Sequence, residues 1–139
     1  MINCTNFVHY NPNPEFKNAN KRWHRGDCVI RAICKATGLP WEDVFMKMCM
    51  AAMKVHDMPN CRIGEEAGLK SLGFVKGSSL KPERGQRWPV VADMARAYPN
   101  QTILCSCCGH MVCCKDGHFY DTWNCGGMTV RSYWVYYGK

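Results

Sequence analysis

Asp116-Gly117 sits between two stretches that alternate as β-strands do, His110 to Lys115 and His118 to Trp123. No other feature restricts the possible folds of this chain as much. Asp-Gly is the strongest short hairpin signal, because both turn positions take positive φ and these two residues tolerate it. The turn sets a register in which Lys115 faces His118 and His110 faces Trp123. Successive side chains point to opposite faces, so His110 and Asp121 fall on one face as diagonal neighbours, about 7 Å apart at their backbones and within side-chain reach. Asn124 has the opposite parity. A histidine beside a carboxylate is the base-plus-orienter half of a catalytic triad, in which the carboxylate fixes the ring tautomer and stabilises the imidazolium.

The complementary half lies far upstream, in Gly26-Asp27-Cys28-Val29-Ile30-Arg31-Ala32. Asp27 is a good N-cap, Ala32, Ile33 and Ala36 recur at helical spacing, and Gly38 supplies a stop. Cys28 is thereby placed in the first turn of a helix. A helix N-terminus and a nearby imidazole are the two commonest means of turning a thiol into a nucleophilic thiolate.

The remaining elements follow from the same signals. Leu39-Pro40-Trp41-Glu42-Asp43 opens a second helix that runs to about Val55, and its Met-rich stripe, with Met48 and Met50, reads as core packing. Ile63 to Leu72 is a third helix ended by Gly73. Gly77 to Arg87 is a polar loop, and Val90 to Tyr98 a short fourth helix. Strands are expected at Thr102–Cys105, His110–Lys115, His118–Trp123 and Thr129–Tyr137. Residues 1–25, rich in Asn and Pro, read as an extended arm over the body. Helices first and strands second imply one α+β domain over residues 1–139, with the helices packed on a C-terminal antiparallel sheet. The aromatic final strand, Tyr133 to Tyr137, is expected at a sheet edge, where it could pair with a partner.

Composition bounds the function classes. With 139 residues, 47% hydrophobic and 21% charged, the chain can bury a core. It has no apolar run near the ~18 residues that cross a bilayer, and no apolar signal core at Met1-Ile2-Asn3-Cys4, so a soluble cytoplasmic protein without a membrane partner is expected. Eleven cysteines, two pairs of them adjacent, make a poor disulfide framework and read as reduced, mostly buried thiols. The net charge of +7 comes from scattered residues, densest at Lys17, Lys21, Arg22, Arg25, Arg31 and Lys35. No aromatic–basic motif accompanies them, so a nucleic-acid partner is not expected. His9, His24, His56 and His118 read as surface or loop residues.

These motifs together resemble the papain-like cysteine peptidase superfamily, most closely its small members from bacteriophages and bacteria. The resemblance covers roughly residues 20–125. It is carried by Gly26-Asp27-Cys28 with the Val-Ile-Arg-Ala run behind it, by Gly109-His110 entering a strand, and by Asp121-Thr122-Trp123 on the next. It implies a papain-like fold and a peptide or protein substrate, with no cofactor and, for a phage protein, a host-cell cytoplasm. The basic N-terminal region suggests an acidic substrate. Cys28 is then the nucleophile, His110 the general base and acid, and Asp121 the orienting carboxylate. Such enzymes often carry a Gln six residues before the cysteine as an oxyanion donor, and that position here is Arg22. The backbone N–H of Cys28 can serve, with Asn20 or the Trp23 indole as the second donor.

Two other readings remain open. Cys105, Cys108, Cys113 and His118 have the spacing C-x2-C-x4-C-x4-H, with Cys107 and Cys114 as substitutes, and thiolate plus imidazole ligands suit tetrahedral zinc. The third reading is a papain-like viral binding protein without turnover.

Overall fold

The computed structural model describes residues 4–15 and 26–138. Strand β1 (Phe7–His9) is followed by three helices, α1 (Cys28–Thr37), α2 (Trp41–Lys54) and α3 (Arg62–Ser71). Strand β2 (Phe74–Lys76) and helix α4 (Val91–Ala97) precede β3 (Ile103–Cys107), β4 (His110–Lys115), β5 (His118–Asp121) and β6 (Val130–Tyr136). The strands form one six-stranded sheet in the order β1-β5-β4-β3-β6-β2. Among the described residues, no helix is long and apolar enough to cross a membrane.

Local chemistry accounts for the boundaries. Gly38 ends α1 at φ 77° and donates its N–H to the Cys34 carbonyl, a backbone conformation that favours glycine. Pro40, at φ −63°, precedes the first turn of α2, where Glu42 and Asp43 suit the positive helix end. The Asp57 carboxylate accepts the Gly64 N–H at 2.8 Å and so satisfies an otherwise orphaned donor at the start of α3. At the hairpin, Asp116 and Gly117 take φ of 54° and 81°, and Lys115 pairs with His118. This is the expected turn and register.

Strand alternation divides the core between the two faces of the sheet. On one face Leu104, Met111, Cys113 and Trp134 pack against Ile33 of α1, Val44 and Met48 of α2, and Leu69 of α3. On the other, Ile103, Cys105, Val112, Cys114, Phe119 and Val130 pack against Val91, Met94 and Ala95 of α4. Fully burying one such side chain contributes about 1.5–3 kcal/mol.

The architecture is α+β, and it departs from the sequence expectation in three respects. The sheet is mixed and not confined to the C-terminal half: β1 runs parallel to β5, with Phe7 opposite Phe119, and β2 closes the other edge. The final strand is therefore interior, between β3 and β2, and not an edge. The methionines of α2 divide: Met48 is buried, whereas Met46, Met50 and Met53 are exposed. In addition, Asp27 flanks α1 without capping it through its side chain; its carboxylate is drawn to Asn13, Arg31 and Trp41 instead.

Candidate active site

Three chain segments converge at one end of the sheet. Cys28 is the first residue of α1, His110 the first of β4, and Asp121 the last of β5. Helix α1 packs on the Met111 and Cys113 face, while alternation places His110 with Val112 and Cys114 on the other. The helix reaches the histidine only because its N-terminus lies at the start of β4. The first helical bond is Arg31 N–H to Asp27 O, so the amides of Cys28, Val29 and Ile30 have no intrahelical acceptor. Those free N–H groups put positive potential beside the sulfur.

The His110 ring is held from two sides. Its Nε2 lies 2.5 Å from Asp121 Oδ2, and its face packs against Trp123 with ring centroids 5.4 Å apart. With Nε2 engaged, Nδ1 is the nitrogen left for the Cys28 thiol, which lines the same cleft. Asp121 is 3% exposed at its side chain and fully partnered. Its Oδ1 accepts from Arg31 Nη2 at 3.1 Å and from the Thr122 N–H at 2.7 Å. Its Oδ2 accepts from the Cys125 thiol at 3.2 Å. The backbone of Asp121 is clamped as well: it pairs with His9 of β1, and its carbonyl accepts the Tyr10 N–H at 2.8 Å.

Electrostatics follow from these contacts. Burial opposes ionisation of Cys28, but the hydrogen bonds from His110 and the Met111 backbone, with the charges of His110 and Arg31, outweigh it and lower the thiol pKa. Burial would lower the pKa of His110. Hydrogen bonds to Asp121 and Cys28 and the negative charge on both raise it instead, to about 9. Asp121 is held below the usual carboxylate range, because hydrogen bonds from His110 and Thr122 and the imidazolium charge overcome its burial. The other shifted thiols move the opposite way: burial pushes Cys107 and Cys34 up to about 12 and Cys113 and Cys125 higher still. Of the thiols whose pKa is displaced, Cys28 alone is displaced toward the thiolate.

Cys28 and His110 line a cleft of about 320 Å³ that also takes in Gly26, Asn60, Glu65 and Met111. A second cavity of about 270 Å³ shares Gly26, Val29 and Asn60 with it and is walled by Trp41, Phe45 and Met48. The sulfur thus opens onto a cleft that an apolar-walled cavity adjoins.

The expected trio Cys28, His110 and Asp121 is brought together. The oxyanion candidates Asn20 and Trp23, and Arg22 with them, lie outside the described residues. The expected zinc set is not assembled. Leu104, not Cys105, pairs with Cys113, so Cys105 and Cys113 occupy opposite faces of the sheet. Cys108 and His118 are exposed. The substitutes Cys107 and Cys114 share the face of Cys105, with the Cys114 and Cys105 sulfurs 3.7 Å apart. Among the described residues, the donors of His110, Asp121 and Cys125 do come within 4.8 Å of one another. There Asp121 Oδ2 already serves both neighbours and the Cys125 thiol is held protonated, which fits a hydrogen-bonded network better than a metal cage.

Arg31 and Cys125 are the site residues that sequence reasoning did not assign. Asp27 and Arg31 stand at i,i+4, a legible pairing distance on a helix, but the reach of Arg31 to Asp121 depends on where the helix is docked. Comparison of the chain with family models, with curated proteins and with solved structures finds no match.

Proposed function

We propose that the protein is a cysteine-dependent acyl-transfer enzyme, a peptidase or amidase of papain-like type acting on a peptide or protein substrate. One observation carries this reading: His110 is bonded through Nε2 to a buried carboxylate and lines a single cleft with the Cys28 thiol, which stands at a helix N-terminus.

The geometry suits the following sequence. The Cys28 sulfur, carried as thiolate opposite an imidazolium, attacks the substrate carbonyl carbon, and the oxygen takes the negative charge near the free amides of the first helical turn. As the C–N bond breaks, His110 gives its proton to the departing amine and leaves a thioester on Cys28. Neutral His110 then takes a proton from water, whose oxygen attacks the thioester, and the acid product departs as the thiolate and imidazolium are restored. Asp121 stays ionised throughout and supports the imidazolium.

Iodoacetamide labelling followed by peptide mapping tests the reading. Cys28 should be alkylated below about pH 8, ahead of the other ten thiols, and should lose that lead in His110→Ala. A peptide library then reports cleavage that Cys28→Ser abolishes. Uniform slow labelling of every cysteine would remove the basis for catalysis.

A further inference from the structure

Helix α2 is apolar on two opposite sides. Val44, Met48, Ala51 and Ala52 face the core. Met46, Met50 and Met53, at i, i+4 and i+7, point outward with 56%, 51% and 67% of their surface exposed. Phe45 on the same helix is exposed as well. A helix that is hydrophobic all round is normally covered all round, and the unbranched, polarisable side chain of methionine suits an interface that packs by adjustment.

The charges flanking this stripe say what covers it. Glu42, Met46, Met50 and Lys54 follow one another at intervals of four and form a single ridge along α2. Its ends, about 18 Å apart at the helical rise, are an acid and a base. Both are exposed, and neither has an ion-pair partner among the described residues. Such a ridge is complementary to its own reverse. Laid antiparallel against a second copy, Glu42 of each chain meets Lys54 of the other, and Met46 meets Met50 across the axis. A parallel arrangement would instead set Glu42 against Glu42 and Lys54 against Lys54.

We infer that α2 is the contact surface of a two-fold symmetric dimer of this chain, with the Glu42–Met46–Met50–Lys54 ridges antiparallel across the axis. The interface is isologous, so each substitution acts twice in the assembly.

Sedimentation equilibrium over a concentration series tests this on the full chain. Wild type should fit a monomer–dimer equilibrium. Met50→Glu buries two charges at the axis and should weaken association at least ~30-fold. Glu42→Lys alone and Lys54→Glu alone each turn two attractions into repulsions and should weaken it about tenfold. The double variant Glu42→Lys/Lys54→Glu restores both pairs with reversed sign and should return to within about threefold of wild type, the non-additivity expected of charges in direct contact. All four positions are exposed, and circular dichroism confirms that each variant is folded. A chain monomeric at every concentration overturns the inference, as does a dimer that these substitutions leave unmoved. Single reversals without effect, as a parallel contact would give, overturn the antiparallel arrangement.

Discussion

Arg31 Nη2 lies 3.1 Å from Asp121 Oδ1 and so ties the first turns of α1 to the end of β5. The same guanidinium holds Asp27, the residue before Cys28. One planar fork thus joins the helix that begins at Cys28 to the carboxylate bonded to His110, a geometry that an ammonium cannot reproduce. Arg31→Met strands two carboxylates that are 4% and 3% exposed. Breaking a buried pair in this way costs about 3–5 kcal/mol, to be read from the shift in a urea denaturation midpoint. Arg31→Lys should recover part of the loss. Where Arg31→Met keeps its fold, the alkylation profile of Cys28 should move to higher pH, whereas Arg31→Lys retains the positive charge and should move it less.

The two members of the pair contribute to stability with opposite pH dependence. The pKa of His110 is raised to about 9 in the folded state, so its contribution is fully present below the ordinary imidazole value of about 6.5 and is lost as pH rises through about 9. The pKa of Cys28 is lowered on folding, so its contribution is present above the ordinary thiol value and is lost as pH falls through the lowered one. Cys28→Ala removes the second contribution and leaves His110 raised by Asp121 alone. Above about 6.5 the stability of the variant should then fall more steeply with rising pH, by up to about 1.4 kcal/mol per unit. Denaturation midpoints of both proteins across this range measure the difference, and parallel curves would contradict the ion pair.

Asp121→Asn keeps the shape of the side chain but cannot stabilise a charged ring. The pKa of His110 should fall toward its ordinary value, and turnover should drop about 10²–10⁴-fold. The His110 ring proton signals in NMR, followed against pH, report the shift independently of activity. An unchanged titration would show that Asp121 does not govern the ring.

Phe119 is fully buried where β5 meets β1 and packs on Phe7 at 5.5 Å between ring centroids. Phe119→Ala should cost about 3–5 kcal/mol. Because Phe119 stands two residues from Asp121, proteolysis of the folded state should then open the β1–β5 edge first, as limited digestion with mass spectrometry would detect.

The zinc reading makes an opposite claim to the observed placement of its ligands. With Cys105 and Cys113 on opposite faces and Cys108 and His118 exposed, Cys108→Ser and His118→Ala should leave both melting temperature and bound zinc unchanged within error. Loss of stoichiometric zinc in either variant would reinstate the reading.

What the sequence disclosed was mostly local. Asp116-Gly117 specifies its own turn, and the parity of His110 and Asp121 follows from that turn by counting. Gly38 likewise marks where α1 must stop. The edge strands were not legible: Phe7–His9 and Phe74–Lys76 are three residues each, too short for any period to emerge, and both are defined by distant partners. The Met stripe of α2 is only partly legible for a related reason: Val44, Met48, Ala51 and Ala52 are core as the spacing predicts, whereas Met50 faces outward. Periodicity finds an apolar stripe, but two stripes on one helix do not reveal which one faces inward. The role of Arg31 depends on helix docking, which no short-range pattern encodes.

The pairing of Phe7 with Phe119 has a consequence for how the molecule comes into being. On the ribosome, residue 7 emerges long before residue 119 and has no strand of β5 to pair with until that segment is made. The helix bearing the sulfur can form early, whereas its imidazole and carboxylate arrive only after most of the chain has been translated. During synthesis the nascent thiol therefore keeps its ordinary acidity, and its pKa is lowered only once the sheet has closed.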